Sequence, residues 1–518
     1  MTFIDPFFLL CFLPLTAVVF HLVGRRYGVT GALSIIMVAS LLFYVTWGIP
    51  ASALLVVSVI VNFIVGRSLL ELPDNKIRFR IIALVIGQIY NFGTLIFFKY
   101  KPIPELNLGS MHMAVASWAI PAGISFYTFH QAAFLADAYA REPHLIKFMG
   151  KTGSAGSAAA SLARYAAFVT FFPQLVIGPI TYLKEFEAQL NRRFGRIRYL
   201  NFAIGFTLIS IGMFKKVVLA DHLATIADPV FNSAAHGQPL HPLSAWIGVW
   251  AYWTQLYFDF SGYSDMALGI ARLFGIRYPI NFYSPLKATG IGDYYRRWHM
   301  SLTRVISRFL FTPLSLLGTR FAMRRRWAAI PAKFVGLWAP LMINFQIIGL
   351  WHGATATFVL FGFVHGLWYV IEQEVRTTPA WKSWKKKTSA PTRALLGRLL
   401  FVALMPLSQA IFRSESIHSV IFLASQLVAG DLHRHVKLAA PVTELIPAFA
   451  IIFLLPNSIE LIGRYRGGIM TYANPSYGSV FGRIRWQPDW KWAAYAAALM
   501  AISLYTMTGQ PPFLYQGF

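Results

Sequence analysis

Long stretches without a formal charge constrain this chain more than any other feature. Residues 334–371 contain no Asp, Glu, Lys or Arg, and neither do residues 27–66. A charge is costly in hydrocarbon, and about 20 apolar residues cross a bilayer as one helix. Further charge-free stretches cover residues 7–24, 81–98, 106–136, 165–183, 199–214, 229–258, 399–412, 417–430, 445–459 and 492–508. The pattern predicts an all-α, polytopic transmembrane helical bundle of about 10–12 membrane segments.

The composition also indicates a membrane protein. Of the 518 residues, 56% are hydrophobic and 13% are charged, which excludes an ordinary soluble enzyme. Pro121, Pro173 and Pro179 interrupt apolar runs, so some segments are predicted to be re-entrant. Gly48-Ile49-Pro50 predicts a tight turn between two helices. The single cysteine, Cys11, excludes an internal disulfide and a cysteine-based metal site, and no bound metal is expected.

The net charge of +26 is concentrated in a few segments. Residues 67–80 and 141–164 are basic, which predicts that these loops are cytoplasmic. The densest tract, 272–333, has twelve Lys or Arg and one acid, Asp293. It is interpreted either as a loop lying on anionic lipid or as an electropositive entrance for a phosphate-bearing substrate. A smaller lysine run at 382–387 is predicted to be interfacial. The sequence contains no nucleic-acid recognition module, so no nucleic-acid partner is expected.

A histidine lies inside the apolar sequence, in Trp351-His352-Gly353. Imidazole exchanges protons near neutral pH, and burial keeps it neutral and able to act as a base. His352 is therefore a candidate general base, although a core histidine bonded to a carbonyl is the alternative interpretation. His365 is predicted to face elsewhere on the helix and to be structural.

Polar residues recur in the run from Asp293 to Leu302. Asp293 follows a glycine and is predicted to begin a helix, with its carboxylate four residues ahead of Arg297. Tyr295, His299 and Thr303 would then share one face of a helix that reaches Arg308. An amphipathic helix at the membrane interface is the alternative, and it leaves His299 unexplained.

Two carboxylates, Asp259 and Asp265, interrupt an aromatic apolar segment. Acids inside a membrane are paired or line an aqueous cavity, so both are candidates for a supporting role beside the active site. Helix-end capping around Ser261-Gly262 is the alternative.

Taken together, these motifs resemble the membrane-bound O-acyltransferase (MBOAT) family. The resemblance is to its bacterial branch, which includes the alginate O-acetylation membrane proteins and the D-alanyl transfer proteins of teichoic acid. The motifs that carry it follow in the expected order: Pro121–Phe129, Phe172–Ile180, Tyr257–Asp265, Asn281-Phe282, Asp293–Leu302 and Trp351-His352-Gly353, with an aromatic ending at Pro511–Phe518. The chain departs from the pattern where relatives often have Asp-Phe-Trp, since it has Asp293-Tyr294-Tyr295 there.

The resemblance implies a funnel-like bundle with a central tunnel, in which a cytoplasmic acyl donor meets an acceptor from the outer side. It implies that His352 is the catalytic base and that His299 is the second catalytic residue. Arg296 and Arg297 would bind the phosphates of an acetyl-CoA-like donor or an acyl carrier protein, which is a substrate and not a bound cofactor. The residues expected to support the site are Asp293, Trp298, Ser301, Asp259, Asp265 and Trp351. Residues 1–375 are expected to form the catalytic core, and residues 376–518 the helices that complete the bundle.

The expected function is transfer of an acyl group, with acetyl favoured, for O-acetylation of an exported polysaccharide such as alginate or cellulose. The expected location is the bacterial inner membrane, with the lipid bilayer, a periplasmic acetyltransferase and the polysaccharide acceptor as partners. D-alanyl transfer, direct acylation of a lipid or peptidoglycan, and a non-enzymatic scaffold remain alternatives. A proton-coupled transporter with a relay through His352, Asp259 and Asp265 is a further one.

Overall fold

Helices follow the charge-free stretches of the sequence. The computed structural model describes residues 1–100, 120–149, 155–191, 194–433, 439–469 and 484–507, and among these residues it contains helices and no strand. The all-α prediction is therefore confirmed. The helices are Phe8–Phe12, Leu13–Val45, Ile49–Glu71, Asp74–Lys76, Ile77–Lys99, Ile124–Tyr139, Pro143–Met149, Ala155–Thr170, Phe172–Leu175, Leu183–Glu187, Tyr199–Met213, Phe214–Ala220, Asp221–Ala235, Pro242–Leu273, Pro285–Lys287, Ile291–Tyr295, Met300–Ile306, Ser307–Phe311, Thr312–Arg324, Ala329–Lys333, Phe334–Trp338, Ala339–His352, Ala356–Thr377, Pro379–Lys387, Ala390–Arg413, Ile417–Ala429, Ala439–Leu454, Ser458–Ile462, Gly463–Tyr465 and Trp490–Thr506.

Several of these helices are suited to crossing a membrane. Within the described residues, seven are long and apolar enough by length and composition, and Ile417–Ala429 is a shorter apolar helix. The seven are Phe8–Val45, Ile49–Glu71, Asp74–Lys99, Tyr199–Ala235, Ala329–His352, Ala390–Arg413 and Thr443–Tyr465. The chain is a multi-pass membrane protein, as predicted. A continuous central tunnel stays a prediction, and the aromatic ending Pro511–Phe518 lies outside the described residues.

The chain divides into two compact units. The first consists of Met1–Ile209 and Tyr263–Pro279, and the second of Ser210–Gly262 and Ile280–Phe518. Each unit thus combines segments that are distant in sequence. These bounds differ from residue 375, and a catalytic core ending there stays a prediction.

In the first unit, the predicted turn is present between the helices that end at Val45 and begin at Ile49. Gly48 has a φ of 118°, a conformation that side chains rarely adopt, so glycine suits this turn. Farther along, Gly123 also has a positive φ, of 72°, and packs against the carbonyl oxygen of Leu175. The two proline-containing motifs of the sequence therefore meet inside this unit.

In the second unit, a tight helical hairpin carries one of the candidate histidines. Its arms are Ala339–His352 and Ala356–Thr377. Gly349 lies against the carbonyl of Phe358, and Gly362 lies against the carbonyl of Phe345, so a β-carbon at either glycine would clash. Small residues let the two backbones approach closely, as they do in many membrane helix pairs. This packing fixes the end of the first arm, where His352 lies.

Candidate active site

His352 is the last residue of the Ala339–His352 helix and is 6% exposed. Its ring is enclosed by aromatic side chains, with centroid distances of 4.6 Å to Trp351 and 4.8 Å to Phe412. Phe358 and Phe361 complete this surround at 6.1 Å and 6.4 Å. Such an enclosure leaves little of the His352 ring open to solvent.

His299 lies between two short helices and not within one. It has φ 45° and ψ 50°, and it immediately precedes the Met300–Ile306 helix. A left-handed conformation is uncommon for a residue with a side chain, and such strain often marks functional sites. The prediction of one helix from Asp293 to Arg308 is therefore wrong, because the chain leaves the Ile291–Tyr295 helix and turns before Met300.

The His299 ring is buried, and its nitrogens have no hydrogen-bond partner among the described residues. Its Nδ1 and Nε2 atoms are both inaccessible, and neither makes a hydrogen bond within the described part of the chain. Phe260 packs edge-on at 4.8 Å, and Trp351 lies 6.1 Å away, between centroids. Burial lowers the pKa of the His299 imidazole to about 3, so the ring is neutral at physiological pH. A neutral ring keeps one N–H donor and one acceptor for a bound molecule.

Both histidines line the same pocket. The cavity has a volume of about 30 Å³. Its lining residues are Leu256, Tyr294, Tyr295, Trp298, His299, Leu302, Thr303, Ile348, His352, Phe361, Gln409 and Phe412. Two imidazoles thus face one small, largely aromatic space. We call it the histidine pocket.

Asn281 holds the turn that presents His299. Its Oδ1 atom accepts a hydrogen bond from the Ser301 hydroxyl at 2.6 Å, and its backbone carbonyl accepts one from the Met300 amide at 3.0 Å. The Tyr283 amide donates to the Arg297 carbonyl at 3.0 Å on the other side of the turn. Ser301 is thus tied to this turn through Asn281, and its supporting role stays a prediction.

The aspartate and arginines of the motif differ in exposure. Asp293 accepts hydrogen bonds from Arg297 Nε at 3.0 Å and from the Thr289 amide at 3.1 Å. Burial favours the neutral acid, but Arg297 and these hydrogen bonds outweigh it and hold the pKa of Asp293 below its usual value of 3.8. The Arg297 side chain is 8% exposed, whereas that of Arg296 is 70% exposed. Arg297 thus braces the motif, and Arg296 is the one of the pair that solvent reaches.

The start of the same motif is held by a residue that sequence reasoning did not select. Glu372 accepts hydrogen bonds from the amides of Ile291 at 2.7 Å and Gly292 at 3.4 Å. A carboxylate at the first amides of a helix satisfies donors that otherwise lack partners. A β-carbon at Gly290 would lie 2.4 Å from Glu372, so this contact requires glycine.

The sequence analysis did not predict two further polar features of the histidine pocket, namely the contact of Tyr295 with His365 and the position of Gln409. The Tyr295 hydroxyl forms a hydrogen bond of 2.7 Å with Nδ1 of His365. In the structural role predicted for it, His365 would hold Tyr295 in place through this bond. Gln409 lines the histidine pocket from the Ala390–Arg413 helix and is 3% exposed. Gln409 could have been selected from the sequence, because its side-chain amide lies inside an apolar membrane segment.

The two membrane carboxylates occupy different units. Asp259 is buried in the second unit and forms an ion pair with Lys216 at 2.7 Å, and Lys216 also pairs with Asp221 at 2.8 Å. The interpretation of Asp259 as a paired acid is thus confirmed, while its catalytic support role stays a prediction. Asp265 is buried in the first unit. Its role beside the histidines likewise stays a prediction.

The described residues contain no group of three or more His, Cys, Asp or Glu side chains that could hold a metal ion.

Comparison with known proteins identifies the family. The model of the MBOAT, membrane-bound O-acyltransferase family matches residues 149–387, the part of the chain that contains both histidines. The "Probable alginate O-acetylase AlgI" of Azotobacter vinelandii is 31% identical over 87% of this chain and 84% of its own length. The chain belongs to the membrane-bound O-acyltransferase family.

Other relatives share shorter parts with this MBOAT protein. The "Peptidoglycan O-acetyltransferase" of Helicobacter pylori is 37% identical over 54% of the chain, which spans only 55% of that relative's length. The "Teichoic acid D-alanyltransferase" of Streptococcus thermophilus is 31% identical over 31% of the chain and 39% of its own length. The predicted family is thus confirmed, and at the level of the family so is the predicted enzyme class, an O-acyltransferase.

Proposed function

We propose that this MBOAT protein transfers an acetyl group from an acyl thioester to a hydroxyl of an exported or cell-envelope polysaccharide. The observation that carries the proposal is the histidine pocket, in which His299 and His352 face one small buried space. Acyl transfer to a hydroxyl needs a base at the attacking oxygen and a hydrogen-bond donor at the carbonyl oxygen. Two imidazoles can supply both.

In this mechanism, His352 accepts the proton of the acceptor hydroxyl as its oxygen attacks the thioester carbonyl carbon. The N–H of His299 donates to the carbonyl oxygen, which becomes negative in the tetrahedral intermediate. When the carbon–sulfur bond breaks, the proton on His352 passes to the departing sulfur. The products are an ester and a free thiol, and both histidines return to their starting state. No covalent acyl-histidine is required.

The residues that line the histidine pocket favour a neutral acyl group over a charged one. A D-alanyl group carries an ammonium, and no carboxylate is among the described residues that line this pocket. An unpaired ammonium is costly in such a site. Acetyl is neutral and does not meet this obstacle.

The donor, the partner and the location belong to the same proposal. Arg296, with its exposed guanidinium, is suited to the phosphates of acetyl-CoA or to the acidic surface of an acyl carrier protein. The names of the relatives support alginate or peptidoglycan as acceptor classes. A periplasmic acetyltransferase that acts together with this protein, and a position in the bacterial inner membrane, complete the proposal.

The experiment measures ester formation by the purified full-length protein in lipid vesicles. Acetyl-CoA, an acetyl carrier protein and a D-alanyl carrier protein are supplied in turn, with alginate or peptidoglycan fragments as acceptor and free thiol as a second readout. We expect acetyl transfer to exceed D-alanyl transfer, and His352→Ala to lower it about 10²–10⁴-fold, the usual cost of losing a general base.

His418 provides the matched control, because it is an exposed histidine on the Ile417–Ala429 helix. His418→Ala is expected to keep wild-type activity. Activity of His352→Ala within about twofold of wild type would refute the assignment of the base. Thiol release without ester formation in the presence of every acceptor would refute the transfer to polysaccharide.

The transporter alternative is less well supported. Its relay requires Asp259 to exchange protons with a pathway, yet this carboxylate is held by Lys216 at 2.7 Å, and both side chains are 2% exposed. Acyl transfer by His299 and His352 does not require Asp259 to exchange protons.

A further inference from the structure

A second cavity in the same unit is much larger than the histidine pocket. It has a volume of about 540 Å³, within the range of about 300–1,000 Å³ that is typical of ligand sites. Three helices form its walls, namely Ala356–Thr377, Pro379–Lys387 and Ala390–Arg413, and Thr289 and Gly290 lie at its base. We call it the tryptophan cleft.

The interior of the tryptophan cleft is apolar and aromatic. Trp368 and Phe401 lie on facing helices with their ring centroids 6.2 Å apart. Trp381 and Trp384, on the short connecting helix, have centroids 4.8 Å apart. Aliphatic side chains of the two long helices fill the remaining wall. Such a surface suits an acyl chain.

The tryptophan cleft opens on the surface of the long helices. Ile371 is 50% exposed, Leu396 is 48% exposed and Leu400 is 59% exposed, and all three line the cleft. Ala390–Arg413 is one of the candidate membrane spans, so exposed aliphatic residues on it face lipid. A chain lying in the cleft can therefore continue into the bilayer without crossing water.

The lining of the tryptophan cleft also carries cationic groups. Arg376, Lys385 and Arg393 line the cleft, against a single carboxylate, that of Glu372. Arg376 pairs with Glu372 at 2.8 Å, and Arg393 donates to the Lys385 carbonyl at 2.8 Å and so fixes the end of the short helix. The Lys385 ammonium has no acidic partner among the described residues. The excess positive charge suits an anionic group.

We propose that the tryptophan cleft binds an anionic phospholipid, with its phosphate at Lys385 and Arg376 and an acyl chain between Trp368 and Leu400. The short helix Pro379–Lys387 is rich in lysine and tryptophan and joins two apolar helices, which is typical of a segment at the membrane interface. Cations at this interface attract anionic headgroups. A nucleotide-containing donor fits less well, since the apolar wall offers few partners for a purine or for the amides of its thiol arm. The proposal does not rest on acyl transfer.

The bound lipid would lie next to the segment that carries His299. Glu372 lines the tryptophan cleft and also accepts hydrogen bonds from the amides of Ile291 and Gly292. Phe401 lines the cleft as well, and its ring centroid lies 5.4 Å from that of Tyr294. One layer of side chains thus separates this lipid from the histidine pocket.

The test measures lipid binding to the purified full-length protein by native mass spectrometry, with phosphatidylglycerol and phosphatidylcholine of identical chains as probes. We expect phosphatidylglycerol to bind more tightly, and Lys385→Glu to weaken it by about tenfold, because the substitution removes a cation from the headgroup and places a carboxylate there. Lys382→Glu is the matched control, because Lys382 lies on the same helix but does not line the cleft. It should change the affinity by less than about twofold.

A second variant tests the apolar part of the tryptophan cleft. Leu400→Trp fills the cleft and should reduce phosphatidylglycerol binding while the protein still elutes as a single species. Equal losses for Lys382→Glu and Lys385→Glu, or equal affinities for the two lipids, would overturn the proposal in favour of diffuse charge attraction. Displacement of phosphatidylglycerol by coenzyme A would overturn it in favour of a donor site.

Discussion

The Oδ1 atom of Asn281 lies 2.6 Å from the hydroxyl of Ser301 and accepts its hydrogen bond. This contact spans the turn that contains His299, whose φ of 45° is held by the bonds on either side. Asn281 does not line the histidine pocket, and it acts on the pocket through the backbone of its neighbours. It is thus a positioning residue for His299.

Asn281→Ala is expected to lower kcat about 10- to 100-fold with a small change in KM, because misplacing a catalytic group by about 1 Å can cost 10²-fold. Ser301→Ala should have a similar, smaller effect. Because both substitutions remove one shared contact, the double variant should lose less than the product of the single losses. Acetyl transfer kinetics of the four proteins measure this, and strictly multiplicative losses would contradict the coupling.

His299→Ala is expected to lower kcat about 10²–10³-fold, the usual cost of losing an oxyanion donor. His299→Asn keeps one N–H donor and should recover part of the loss. Since the pKa of His299 is about 3, this ring does not titrate near neutral pH. The acid limb of the kcat–pH profile should therefore have the same midpoint in wild type and in His299→Asn. A shifted midpoint would mean that His299 itself is the titrating base.

Arg296 and Arg297 should give different phenotypes despite being adjacent. Arg296→Glu should raise the KM for a phosphate-bearing donor without altering stability, and the effect should shrink at high salt because solvent reaches this guanidinium. Arg297→Glu places a second carboxylate beside Asp293 and should destabilise the fold. Donor titrations and thermal unfolding of both variants separate these outcomes. An unchanged donor KM in Arg296→Glu would exclude it from donor binding.

The pKa of Asp293 makes its contribution to stability depend on pH. Its folded pKa lies below the usual 3.8, so the ionised form stabilises the fold above that value, and the contribution is lost as pH falls through the folded pKa. Asp293→Asn should be less stable than wild type above about pH 5, and the difference should narrow below about pH 4. Thermal unfolding in detergent across this range measures it. A constant difference at all pH values would contradict the role of ionised Asp293.

Tyr295→Phe removes the hydroxyl that bonds to His365 and leaves Nδ1 of this fully buried ring without that partner. An unsatisfied buried group costs about 1–3 kcal/mol, so unfolding should shift to lower temperature. His365→Phe should be destabilising for the same reason. The double variant pairs two apolar rings and is expected to be more stable than the sum of the single changes predicts. Additive losses would show that the two side chains act independently.

Sequence reasoning located the histidine pocket through side chains that are anomalous in their local setting. His352 stood out because imidazole inside a charge-free stretch is costly, and Asp259 stood out as an unexplained membrane acid. Asn281 was noted only as part of a resemblance, because an asparagine reveals no partner until Ser301, twenty residues away, is brought beside it. Glu372 gave even less signal, since the amides that it caps lie 80 and 81 residues earlier in the chain.

The sequence by itself determined the helical membrane fold, the family and the identity of both histidines. These depend on hydrophobic content, chain length and local motifs, which are properties of consecutive residues. Tertiary structure alone decided that the Asp293 motif breaks before His299, that Arg297 is buried while Arg296 is exposed, and that a lipid-facing cleft lies behind the site. The physical reason is that backbone strain at His299 is tolerated only because contacts from Asn281, distant in sequence, compensate for it. The periodicity of apolar residues along a helix does not reveal contacts between residues that are distant in sequence.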